Sequence, residues 1–76
     1  MRFLLTRYGK EEDFPDQSTD VTGVGAEAFS ALLGIPAEGL TDVYPLTQGH
    51  AERVRRLTGH TIDLEKYDYF LETESD

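Results

Sequence analysis

Cysteine and tryptophan are absent from this 76-residue chain, and bases are scarce, seven against fifteen acids. Without cysteine there is no disulfide framework, no thiolate metal site and no cysteine nucleophile. A small chain with no covalent staple suits a reducing compartment, so the expected location is the cytoplasm. Long apolar runs are missing too. The opening Met1-Arg2-Phe3-Leu4-Leu5 begins like a signal peptide, but Thr6-Arg7 ends the run too early for one. No stretch approaches membrane-spanning length. The net charge of −8 disfavours direct binding to a nucleic-acid backbone or an anionic membrane and favours a basic protein partner. Acidity of this size also serves solubility alone. Length permits one domain, residues 1–76, with a modest core and little room for a deep pocket.

The aromatic residues that are present gather near the end. From Tyr67 to Thr73 the β-branched and aromatic content predicts a strand. Alternation puts Tyr67, Tyr69 and Leu71 on one side and Asp68, Phe70 and Glu72 on the other. One face is apolar and the other is wet and acidic, a pattern suited to an antiparallel sheet. Residues 2–8 read as a central strand, apolar on both faces at its start. The segment from Gly9 to Asp13 is a turn, with Gly9 as the residue able to take a positive φ. Pro15 confines residues 16–21 to an edge strand returning along the first.

Ala28, Phe29, Leu32 and Leu33 form the stripe of a helix over residues 26–33. Gly34, Ile35 and Pro36 are its stop signal. Thr47 is the N-cap expected for a second helix over residues 48–58, with Ala51, Val54 and Leu57 inward and Gly59 at its end. Arg53, Arg55 and Arg56 lie outside that stripe, and pairing with strand carboxylates is their expected role. Asp42-Val43-Tyr44 is a short extended piece before Pro45. Residues 60–64 read as extended, with Ile62 and Leu64 on one side; Glu65-Lys66 is either a hairpin turn or a bend in one strand. The core expected between sheet and helix is Leu5, Phe29, Leu32, Leu33, Tyr69 and Leu71.

Signals for chemistry are weak. His60 and Asp63 offer two ligands where a zinc site needs three or four. Gly23-Val24-Gly25 lacks the third glycine of a dinucleotide fingerprint. No serine or threonine sits in a nucleophile motif, and the carboxylate pairs lie in polar stretches where ordinary ionisation is expected. The chain is therefore expected to be no enzyme and to need no cofactor or metal. Aromatic side chains framed by carboxylates (Tyr8, Phe14, Tyr44 and Phe70) instead fit a binding surface for a basic protein.

Several pieces occur in a familiar order: Leu5-Thr6-Arg7-Tyr8-Gly9-Lys10, Glu12-Asp13-Phe14, Leu33-Gly34-Ile35-Pro36, Asp42-Val43, then His60-Thr61-Ile62-Asp63-Leu64 running to Tyr69-Phe70-Leu71. Their order resembles that of the cloacin-type immunity proteins, small acidic inhibitors of ribonuclease bacteriocins. The tryptophan usual in that family after Asp-Val is missing here, and Thr47 falls in its segment. The resemblance implies an antiparallel sheet of about four strands with a helix across one face. It also implies inhibition by occlusion of a toxin ribonuclease domain, and a role for Leu40, Thr41 and Asp42 in choosing the partner.

The expected fold is α+β, a small antiparallel sheet with one or two helices on one face. The expected function is immunity-type inhibition of a basic ribonuclease toxin; the alternative is an acidic adaptor for another basic protein. The expected contact residues are Asp13, Phe14, Asp16, Asp20, Leu40, Thr41, Asp42, Asp68, Phe70 and Glu72.

Overall fold

Four strands form one antiparallel sheet in a computed structural model that describes residues 1–75. They are β1 (Arg2–Gly9), β2 (Pro15–Asp20), β3 (Val43–Pro45) and β4 (Tyr67–Glu74), in the spatial order β2-β1-β4-β3. Two α-helices, α1 (Ala26–Leu33) and α2 (Ala51–Thr58), occupy the connections before and after β3. This is the α+β fold that the sequence predicts. β1 is central and β2 is an edge, as expected, and β4 is the second central strand.

The side-chain alternation of β1 and β4 decides where the helices go. Leu5 pairs with Leu71 and Arg7 with Tyr69, so these side chains share a face. Phe3, Leu5, Tyr69 and Leu71 are buried there against Phe29 and Leu32 of α1 and Val54 of α2. The rings of Phe3 and Phe29 lie 5.0 Å apart. Val21, Leu40, Leu46 and Ile62, all from connections, complete the core. Leu33 sits at its margin, half-buried.

Local chemistry sets the helix ends. At Gly25, φ is 95° and ψ is 151°, a region open in practice only to glycine. This residue joins the 3-10 turn Thr22–Val24 to α1. Gly34 ends the helix in the left-handed conformation, φ 70°. Its amide and that of Ile35 both reach the Ser30 carbonyl, at 2.9 and 3.3 Å. The helix expected over residues 48–58 begins as a 3-10 turn, Gln48–His50, before α2. There the Thr47 amide donates to Nδ1 of His50 at 3.0 Å.

Four local expectations are corrected. The positive φ of the β1–β2 turn falls on Glu11, at 67°, and not on Gly9. The Glu12 amide closes that turn on the Gly9 carbonyl at 3.0 Å. Residues 60–63 are not a strand, and Glu65-Lys66 belongs to a turn that leads into β4. Asp63 organises that turn: its carboxylate accepts the Glu65 amide, and its carbonyl accepts the amides of Lys66 and Tyr67. The α2 arginines do not reach strand carboxylates. Arg53 donates to the Leu32 carbonyl at 2.8 Å, and Arg56 pairs with Glu52. Leu40 is 0 % exposed and packs in the core, so it offers a partner no surface.

Candidate protein-binding face

The helices cover one face of the sheet, and the side chains that alternate with the core form the other. Register builds this second face from cross-strand rows. Asp20, Leu4, Glu72 and Val43 form one row; Ser18, Thr6, Phe70 and Pro45 form the next; Pro15, Tyr8 and Asp68 form a third. Leu4, Thr6, Tyr8 and Phe70 lie on the two central strands of the face, with Glu72 among them and further carboxylates toward its margin. Thr6, at the centre, is only 1 % exposed, although no helix covers it. Its hydroxyl lies 3.2 Å from that of Ser18. Tyr8 and Phe70 meet edge to face with centroids 5.4 Å apart, a favoured aromatic geometry.

Beside this ring pair is a shallow depression of about 380 Å³ lined by Tyr8, Glu12, Asp13, Val43, Asp68 and Phe70. Val43 is 49 % exposed, an apolar side chain left facing solvent. Carboxylates outnumber cations on the face and its rim: Glu12, Asp13, Asp20, Asp68, Glu72 and Glu74 against Arg2 and Lys10. Lys10 pairs with Asp68 at 2.6 Å. Arg2 bridges Asp20 at 3.5 Å and Glu74 at 3.3 Å. Tyr8 donates its hydroxyl to Glu72 at 3.3 Å. Burial first, and the Glu72 carboxylate second, hold the Tyr8 phenol above its ordinary pKa.

Sequence reasoning chose some of these residues and missed others. Asp13, Asp68 and Phe70 are brought together at the depression. Glu72 is on the same face, one row away. Asp20 lies in that row at the far edge, where the hydroxyl and amide of Thr22, then Arg2, hold its carboxyl below the usual range. Asp16 is drawn off. It accepts from Nε of Arg7 at 2.7 Å and from a second guanidinium nitrogen. Arg7 is in register with Tyr69 on the helix-covered face and lies over the Tyr67 ring, 4.2 Å from its centroid.

Phe14 is 80 % exposed on the β1–β2 connection and does not line the depression. Thr41 and Asp42 are exposed just before β3, where the Asp42 carbonyl accepts the Thr73 hydroxyl at 2.9 Å. Tyr44 is half-buried, and its hydroxyl bonds the Gly39 carbonyl and the Thr41 amide, so it pins this loop. Tyr8, Glu12 and Val43 line the depression as well, although the sequence pattern does not mark them as contact residues. The pairing of β1 with β4 places them together, and no single-strand pattern carries that information.

The face can recognise cations. Aromatic faces attract ammonium and guanidinium groups. Carboxylates give arginine and lysine short, charge-assisted hydrogen bonds. Among the described residues, no three histidine or acidic side chains cluster closely enough to hold a metal ion. No helix among them is long and apolar enough to cross a membrane.

No curated protein and no solved structure matches the chain. One family model does match, over residues 2–72, nearly the whole length and all of the face described above except Glu74 at its rim. The chain belongs to that family, described as a domain of unknown function (DUF7683).

Proposed function

We propose that this protein is an inhibitor of the immunity type, which binds a basic ribonuclease toxin through the uncovered face of its sheet. One observation carries the reading: the Tyr8–Phe70 ring pair stands on that face beside Asp13 and Asp68, with no helix over it. A ribonuclease domain presents a basic surface to hold RNA, and its potential complements this rim. Carboxylates then steer the encounter, and the aromatic centre, desolvated on contact, holds the complex. The choice of a ribonuclease partner rests on the order of short motifs that resembles the cloacin-type immunity proteins. On this reading inhibition is occlusion in the cytoplasm of the producing cell, with no catalysis by the inhibitor.

The test is affinity capture from the native host with wild-type protein and with a Phe70→Ala, Asp13→Lys variant as control. The expected result is a basic protein retained by the wild type and lost with the variant, whose ribonuclease activity falls to zero at one equivalent of inhibitor. A basic partner without nuclease activity selects the adaptor function instead. Partners retained equally by both baits contradict the assignment of the face.

A further inference from the structure

A second surface of opposite character lies on the helix layer. Between α1 and α2 runs a groove of about 240 Å³ lined by Ala28, Ala31, Leu32, Arg53, Arg56 and Leu57. Its floor is almost wholly apolar, and Leu57 is 36 % exposed within it. Arg53 and Arg56 stand at its rim. Arg56 is paired with Glu52, but among the described residues Arg53 bonds only the Leu32 carbonyl and pairs with no carboxylate. An apolar cavity of about 150 Å³ accommodates benzene, so this groove is large enough for one aromatic ring.

The chain itself carries a segment of matching chemistry. Glu11, Glu12 and Asp13 run directly into Phe14, which is 80 % exposed. Pro15 follows and stiffens the base of that tip. An aromatic anchor flanked by three carboxylates fits an apolar groove rimmed by arginines, and an aromatic ring also stacks favourably beside a guanidinium.

From this complementarity we propose that the α1–α2 groove receives the Phe14 tip of a second copy of this chain. The inference does not rest on the function proposed for the open sheet face, although Glu12 and Asp13 of the tip also line the depression there. The two surfaces differ, so the contact is heterologous: each copy donates one tip and accepts another. An interface this small is weak and transient. With a net charge of −8, two copies also repel at long range. Salt at physiological strength screens that repulsion beyond ~8 Å while leaving contact pairs in place.

Two variants test this without touching the core. Phe14→Ser removes the tip, and Ala31→Glu sets a carboxylate on the groove floor at an exposed helical position. Sedimentation equilibrium at roughly millimolar protein, the regime of weak contacts, and physiological salt reads the result. Wild type is expected to rise above the monomer mass with concentration and each variant alone to remain monomeric. An equimolar mixture is expected to stop at a dimer, because it holds one intact tip and one intact groove. Monomeric wild type overturns the proposal. So does association that survives in either variant alone, or a mixture that stays monomeric.

Discussion

Neighbouring residues on β4 have opposite fates. Leu71 is 1 % exposed under the helices, whereas Phe70, one residue earlier, lies half-buried on a face that no helix covers. Both are large and apolar, so hydrophobicity alone does not separate them. What separates them is the neighbours that register supplies. Leu71 pairs with Leu5 and Tyr44 and meets the helix layer; Phe70 pairs with Thr6 and Pro45 and is ringed by Tyr8, Asp68 and Glu72. One face spends its apolar area on folding, and the other leaves part of it uncovered by any helix.

The largest effect expected from this contrast is on stability. Leu71→Ala opens a cavity in the packed face and is expected to destabilise by about 2–5 kcal/mol, a large share of the total for a small domain. Phe70→Ala removes an edge-to-face contact and partial burial and is expected to cost only about 1 kcal/mol. Urea denaturation of the two variants measures both. Equal losses would make the open face a structural wall and remove its claim to be a docking surface.

The helical cover depends on the angle at which α1 leaves the sheet. A Cβ on Gly25 would meet nothing within 4 Å, so Gly25→Ala tests backbone strain and not a clash. The expected loss is about 1–3 kcal/mol, read from the thermal midpoint. An unchanged midpoint would show that the turn relaxes and that the helix layer is not fixed there.

A smaller effect belongs to the far edge of the open face. Asp20 has a folded pKa below its unfolded value of about 3.9. Its stabilisation is therefore complete above that value and is lost as pH falls through the folded pKa. Asp20→Asn is expected to flatten the fall in stability below about pH 4, measured as urea midpoints across that window. A variant with an acid limb as steep as the wild type's would show that Thr22 and Arg2 do not favour the ionised form.

Much of this contrast is legible in the sequence because it rests on local periodicity. The alternation from Tyr67 to Glu72 separates the two faces before any partner strand is known. The stripe of α1 and the Gly34-Ile35-Pro36 stop give that helix its bounds. Expectation fails where side chains bond the backbone nearby or where distant strands meet. Ile62 and Leu64 look like one face of a strand, but Asp63 bonds the three amides that follow Leu64 and turns the chain. Leu40 lies in a connection, where no period distinguishes inside from outside, and it is buried. Glu12, Val43 and Tyr8 become neighbours of Phe70 only through strand pairing and the fold of the β1–β2 turn.

The central claim is that the open face, with its acidic rim, meets a basic protein. The most direct test is stopped-flow association with the ribonuclease domain captured as above, across ionic strength, for wild type and for Asp13→Lys, Asp68→Lys. Steering by exposed charges predicts a wild-type rate that falls steeply with salt, and a variant at least tenfold slower at low salt with a much flatter dependence. Equal association rates for the two proteins at low salt would contradict the account.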